Sequence, residues 1–203
     1  MESKLFLVTE FGPEIDEKGL GCVAQKKIKR GTLILREKPC LLQNINTTGN
    51  LDNDYFDDIF TAYEEMDSDL KDRFFELANF HDHIEENNVF HIARREVYLS
   101  YLEENPKQYP EGVALKVIQI VDTNGFHNGV CLEMSRFNHS CVSNAEYFWN
   151  EDRNTRDVRA IKYVHIRSNL YLFAKNWSAM LPNRKNLFLL FERKACEFSE
   201  CTR

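Results

Sequence analysis

Residues 135–144 read Ser-Arg-Phe-Asn-His-Ser-Cys-Val-Ser-Asn, and this is the most specific segment of the 203-residue chain. It follows an apolar run and shows neither the alternation of a strand nor the period of a helix. Polar side chains this dense beside a hydrophobic run must satisfy one another or hold a ligand. A lone histidine usually has a structural role, and the polar neighbours of His139 weaken that interpretation.

The hydrophobic pattern on either side of this segment indicates an α+β protein. Apolar residues recur at helical spacing between about residues 50 and 124, which predicts four helices whose aromatic stripes are core faces. A turn is expected at residues 17–21. Strands are predicted at residues 5–8, 32–42, 146–149, 158–161 and 170–173. The sequence therefore predicts a β-rich unit that is split by a helical insert.

The segment 135–144 resembles the signature of the SET-domain protein-lysine methyltransferases, Ser-Arg-x-Asn-His-Ser-Cys-x-Pro-Asn, with Ser143 in place of the proline. Two further family elements occur in the expected order, the opening stretch at 18–39 and Thr-Asn-Gly-Phe at 123–126. The resemblance is to the SMYD-like and fungal SET-like branch. It implies a single SET domain over residues 1–203, built of short strands and small sheets, with a helical insert at 43–124.

The resemblance also implies a site for S-adenosylmethionine and methyl transfer to the neutral amine of a lysine. Gly19 and Gly21 carry no side chain, so the main chain can approach a ligand closely there. Without the family, Lys18 would be interpreted as a solvated turn lysine. The residues expected to contact the cofactor are Lys18, Gly19, Leu20, Gly21, Asn138 and His139.

The chain departs from the family pattern after residue 161. Ala174 falls where the family has its catalytic tyrosine, and Tyr171 takes that role only if the preceding loop is three residues shorter. Two functions therefore stay open. One is a protein-lysine N-methyltransferase acting on a histone or non-histone protein, with Tyr171 as the candidate catalytic residue. The other is a catalytically inactive SET-fold module that binds the cofactor or a peptide.

Residues 192–203 resemble a remnant of the family's post-SET cysteine tail. Cys196 and Cys201 have the family spacing, but Phe198 replaces the middle cysteine. Together with Cys141 they provide three thiolates, whereas a structural zinc ion takes four ligands. Two interpretations remain open: the three cysteines bind one zinc ion, or they are buried thiols without a metal.

Charge and cysteine content restrict the partners and the compartment. The net charge is −6, which argues against a dedicated nucleic-acid binder. Residues 51–90 hold 13 acidic against 2 basic residues, typical either of a solvated helical face or of a docking surface for a basic peptide. Six cysteines and no visible export signal predict an intracellular protein of the nucleus or cytoplasm. A lysine-containing protein or peptide is the expected partner, and no membrane is expected.

Overall fold

The computed structural model describes residues 6–10, 20–42, 53–79, 89–110, 112–126, 129–140 and 142–172. The helices are α1 (Asn53–Glu64), α2 (Ser68–Phe75), α3 (Val89–Glu104) and α4 (Val113–Asn124). The strands are β1 (Phe6–Glu10), β2 (Leu20–Ala24), β3 (Leu33–Glu37), β4 (Leu41–Leu42), β5 (Gly125–Phe126), β6 (Gly129–Val130), β7 (Asn138–His139), β8 (Ala145–Asn150), β9 (Thr155–Ala160) and β10 (Asn169–Leu172). These elements confirm the α+β prediction.

The chain forms two compact units. The first combines Met1–Lys38 with Glu133–Arg203, and the second is Pro39–Leu132. All four helices belong to the second unit, and the insert expected at residues 43–124 falls within it. Pro39 stands at the boundary, where a residue without a backbone N–H cannot continue a strand ladder.

The first unit contains a seven-stranded sheet among its described residues. Six strands lie side by side in the order β1-β2-β10-β8-β9-β3, and β7 pairs with β10 outside that path. The strands β8 and β9 form an antiparallel hairpin that pairs from Ala145 with Ala160 to Asn150 with Thr155. Alternating burial along β10, with Leu170 and Leu172 inside, places one face of this strand on the core.

The second unit is built around an aromatic core. Phe56 of α1 stacks on Tyr101 of α3 with ring centroids 4.5 Å apart, and Phe74 of α2 lies 6.1 Å from Tyr63. A small sheet in the order β4-β6-β5 adds to this unit. The described aromatic side chains of these stripes are therefore core residues, as predicted, whereas Ala93 and Val97 of the third helix are exposed.

Gly125 caps the end of α4, and its backbone N–H donates to the carbonyl oxygen of Val121. A Cβ at this position would lie 2.7 Å from the carbonyl oxygen of Val121. The preceding Asn124 is buried, and its amide donates to the carbonyl oxygens of Ala78 and Ile120 at 2.7 and 2.9 Å. The asparagine in the segment 123–126 thus has a structural role in closing this helix.

Local predictions required three corrections. Leu20 and Gly21 begin β2 and pair with Glu10 and Thr9, so the turn expected at 17–21 does not extend to them. The single strand region expected at 32–42 divides into β3 and β4, which belong to different sheets. The helical spacing of apolar residues continues from Tyr63 to Met66 and predicts a helix to that point, but α1 ends at Glu64. Asp67 then caps the next helix by accepting the Leu70 N–H at 2.8 Å.

Candidate cofactor site

The strand β10 brings together the two segments that the sequence singled out. On one edge β10 pairs antiparallel with β2, with Leu170 opposite Cys22. Further along, β10 also pairs parallel with β7, with Tyr171 opposite Asn138 and Leu172 opposite His139, whereas β8 follows β10 in the strand order. Four expected cofactor residues, Leu20, Gly21, Asn138 and His139, therefore lie on two strands that pair with β10.

Glu37, at the end of β3, positions the start of residues 135–144, which we call the polar segment. The two carboxylate oxygens of Glu37 accept the backbone N–H groups of Glu133 and Met134, each at 2.9 Å. These bonds satisfy backbone donors at the start of a short 3₁₀ helix at Met134–Arg136, where the first N–H groups of a helix need partners outside it. Sequence analysis assigned no role to this glutamate, because its partners lie 96 and 97 residues away.

Apolar side chains hold the same segment against the sheet. Met134 is fully buried, and Phe137 meets Phe6 of β1 edge to face with ring centroids 5.1 Å apart. Such aromatic pairs stabilise beyond the area they bury. The chain therefore enters β7 from an anchored position.

Two polar residues of the segment are used to hold the fold. The Asn144 amide donates to the carbonyl oxygen of Asn169 at 2.7 Å and accepts the backbone N–H of Tyr171 at 2.9 Å. The backbone N–H of Ser140 donates to the carbonyl oxygen of Leu172 at 3.0 Å, and its hydroxyl accepts from Val142. Asn144 and Ser140 thus bind the backbone of β10, and only the bond from Val142 to the Ser140 hydroxyl joins two residues of the polar segment itself.

Asn138 is different, because its amide nitrogen Nδ2 is buried and has no hydrogen-bond partner among the residues that the structure describes. A buried amide donor without a partner costs about 1–3 kcal/mol. A ligand oxygen or ring nitrogen at this point would satisfy it. The donor therefore fits a polar ligand such as S-adenosylmethionine, with its carboxylate, hydroxyls and adenine nitrogens.

The candidate catalytic residue Tyr171 lies in β10, and its hydroxyl accepts a hydrogen bond from Asn169 Nδ2 at 2.9 Å. The hydroxyl keeps its own proton to donate. Its side chain is half-buried on the strand face opposite Leu170 and Leu172. A catalytic role for Tyr171 stays a prediction.

Several predicted positions lie outside the described residues. They are Lys18, Gly19, Cys141, Ala174, Cys196 and Cys201. Within the described part of the chain, no group of three or more His, Cys, Asp or Glu side chains is arranged to hold a metal ion. The zinc site thus stays a prediction. None of the helices that the structure describes is long and apolar enough to cross a membrane.

Comparison with known proteins identifies the fold. A family model described as the SET domain matches residues 19–173. The structure of Rubisco LSMT bound to sinefungin and monomethyllysine is similar with a TM-score of 0.56 at 14% identity, over 90% of this chain and 53% of that chain. Rubisco LSMT bound to AdoMet gives 0.53 at 16% identity over the same shares.

The SET domain of LSMT bound to lysine and AdoHcy gives a TM-score of 0.50 at 13% identity, over 91% of this chain and 53% of that chain. The chain thus spans about half the length of these three neighbours, and at these identities the likeness shows the fold. No curated protein sequence matches the chain. These matches do not identify the SMYD-like branch.

Proposed function

The chain belongs to the SET-domain family, and from that premise we propose that it is an S-adenosylmethionine-dependent protein-lysine N-methyltransferase. The observation that carries the proposal is the pairing of β10 with both β2 and β7. This strand joins the early glycine segment to the Asn-His segment, next to the partnerless donor of Asn138. A lysine-containing protein or peptide as substrate and an intracellular location belong to the same proposal.

The chain's own residues have three tasks in this proposal. Asn138 donates to the cofactor, and the main chain of β2 at Gly21 allows close approach. Tyr171, whose hydroxyl is oriented by Asn169, is the described group best suited to orient the lysine amine. When bound, S-adenosylmethionine supplies a methyl group activated by the positive charge on its sulfur. Positioning of the two reactants provides much of the rate in such a reaction.

Cofactor binding tests the proposal first. Titration calorimetry with S-adenosylmethionine should show one site in the wild-type chain. Asn138→Ala should raise the Kd about tenfold, because one buried hydrogen bond is lost. Asn154→Gly is the matched control, since Asn154 is exposed and already has a φ of 50°, which glycine accepts readily. Absence of binding at millimolar cofactor would contradict the proposal.

Methyl transfer tests the catalytic part. Incubation with labelled S-adenosylmethionine and mixed histones or lysate should label a protein, and Tyr171→Phe should reduce the label strongly while cofactor binding is kept. Ala174 favours the second function, a non-catalytic module that binds cofactor or peptide. Cofactor binding without any label, unchanged after Ala174→Tyr, would support that function instead.

A further inference from the structure

The helices α1 and α3 of the second unit enclose an open groove of about 380 Å³. This volume falls within the range of ligand pockets, about 300–1,000 Å³. We name it the α1–α3 groove and define it by its lining residues, Asn53, Phe56, Ala93, Glu96, Val97, Ser100, Tyr101 and Glu104. None of these residues is among those expected to contact the cofactor.

The groove has an apolar floor and acidic ends. The rings of Phe56 and Tyr101 are stacked with centroids 4.5 Å apart, and Val97 is 40% exposed although it is a large apolar side chain. Glu96 and Glu104 are exposed and lie eight residues apart on α3. At about 1.5 Å of rise per residue, the two carboxylates are separated by about 12 Å along the helix.

The aromatic cluster already binds a lysine of this chain at another point. The Lys107 ammonium lies 4.8 Å from the Phe60 ring centroid and 5.3 Å from that of Tyr101, and Nζ is 3.3 Å from Asp57 Oδ1. The Tyr101 hydroxyl donates to the same Asp57 oxygen at 2.5 Å, which fixes the ring. A carboxylate beside these rings therefore suffices to attract a basic side chain, through cation–π and Coulomb attraction.

We propose that the α1–α3 groove docks a basic peptide segment in which two Lys or Arg residues lie four positions apart around an apolar residue. In an extended peptide, residues four apart point to the same side and are separated by about 13 Å, close to the spacing of Glu96 and Glu104. The middle residue, also on that side, packs on the exposed side chain of Val97, beneath which Phe56 and Tyr101 are buried. The strongly acidic composition of residues 51–90 adds a field of the same sign.

The inference does not depend on methyl transfer, so its test omits the cofactor. The probe is a fluorescein-labelled Arg-Ser-Leu-Ser-Arg peptide, which contains no lysine and so is not a substrate for the proposed methyl transfer. Anisotropy should show saturable binding to the full chain, weakened at least severalfold by 0.5 M NaCl because salt screens exposed charges. Glu-Ser-Leu-Ser-Glu and the respaced Arg-Arg-Ser-Leu-Ser should bind at least tenfold more weakly.

Charge reversal in the groove is the decisive comparison. Glu96→Lys with Glu104→Lys should weaken binding of the Arg-Ser-Leu-Ser-Arg probe at least tenfold. The matched control is Glu65→Lys with Glu103→Lys, which changes the net charge equally at two exposed residues of the same unit outside the groove lining. The control should stay within twofold of the wild type.

A variant that leaves the net charge unchanged distinguishes binding in the groove from attraction by the overall negative charge of the unit. Ser100→Trp fills the groove without altering charge and should also weaken the Arg-Ser-Leu-Ser-Arg probe at least tenfold, while circular dichroism shows a folded chain. The proposal is overturned if the probe does not bind up to 1 mM, or if the groove and control variants weaken it equally. If either of these two results is found while the chain still methylates lysine, the proposed function stands and only the docking proposal is overturned. If the groove binds the probe but lysine methylation is absent, only the proposed function is overturned.

Discussion

Asn144 shows how one side chain can replace a piece of strand. Its amide accepts from the backbone N–H of Tyr171 and donates to the carbonyl oxygen of Asn169, while its own backbone oxygen accepts from Ile161. A side-chain amide carries both donor and acceptor, so it satisfies an edge of β10 as a neighbouring strand would. Ser140 also binds β10, through its backbone N–H, whereas Asn144 does so through two hydrogen bonds of its side chain.

Replacing Asn144 should therefore cost stability at this strand. Asn144→Ala leaves two backbone groups of β10 without their partner and should lower the free energy of unfolding by roughly 1–3 kcal/mol. Urea denaturation followed by circular dichroism measures this change. Val142→Ala is the control, because Val142 is 63% exposed in the same segment, and it should change stability by less than about 0.5 kcal/mol. Equal effects of the two substitutions would refute the role assigned to Asn144.

At the scale of elements, β3 is held to β9 by an ion pair as well as by its ladder. Arg36 lies opposite Asp157 in the strand register, and its Nε and Nη2 donate to the two carboxylate oxygens at 2.7 and 2.6 Å. Asp157 is fully buried, and the side chains of Asn150 and Thr155 also donate to it. The hydrogen bond from Arg36 is the main reason that the pKa of Asp157 is lowered from its ordinary value of 3.8. Because β3 ends in Glu37, this pairing also supports the carboxylate that starts the polar segment.

The lowered pKa of Asp157 sets a pH dependence of stability. A carboxylate whose pKa is lower in the folded than in the unfolded chain stabilises the fold fully above the unfolded pKa, and this contribution disappears as the pH falls through the folded pKa. Asp157→Asn should therefore be less stable than the wild type by about 1.5–3 kcal/mol at pH 7, since charge-assisted hydrogen bonds are lost. The difference should stay constant down to about pH 5 and shrink below it.

Thermal or urea unfolding of both proteins between pH 7 and pH 2 measures this difference. The contributions of the other carboxylates to the pH dependence are nearly the same in both proteins and largely cancel in the comparison. Asp152→Asn, at an exposed residue of the β8–β9 turn, is the control and should stay close to the wild type at every pH. A gap between wild type and Asp157→Asn that widens toward acid would contradict the assignment.

At the scale of the whole molecule, the residues expected to contact the cofactor and the residues of the groove belong to different units. The described residues expected to contact the cofactor, Leu20, Gly21, Asn138 and His139, are all in the first unit. The α1–α3 groove is formed entirely by residues of the second unit. Each function can therefore be followed separately in the intact chain.

Hydrogen exchange distinguishes the two units in a single experiment. A ligand slows exchange only where opening releases it, by a factor of about 100 when it is present at 100 times its Kd. S-adenosylmethionine should therefore slow the amides of β7 and β10 strongly and leave those of α1 and α4 within about threefold. Mass spectrometry of peptic fragments reads both regions. Saturation with cofactor without any slowing at β7 or β10 would place the site elsewhere.

The sequence by itself determined the helices and the family. The period of Phe56, Ile59, Phe60 and Tyr63 reflects contacts within three or four residues, so α1 is visible in the local pattern. The segment 135–144 indicates the family from the sequence alone because its ten residues are contiguous. The family model matches residues 19–173. The cofactor residues were named from that resemblance, and their contacts stay predictions.

Only the tertiary structure decided which strands meet. Strand pairing explains why β10 contacts both β2 and β7, and why Glu37 binds the backbone of Glu133 and Met134 far along the chain. It also explains why Asn144 binds β10 while the Nδ2 donor of Asn138 has no partner among the described residues. The bonds of a sheet join residues far apart in the chain, and their register depends on packing across the whole core. The local sequence of a short polar segment does not determine which strands it will pair with. The different hydrogen bonding of Asn138 and Asn144 is therefore visible only in the folded structure.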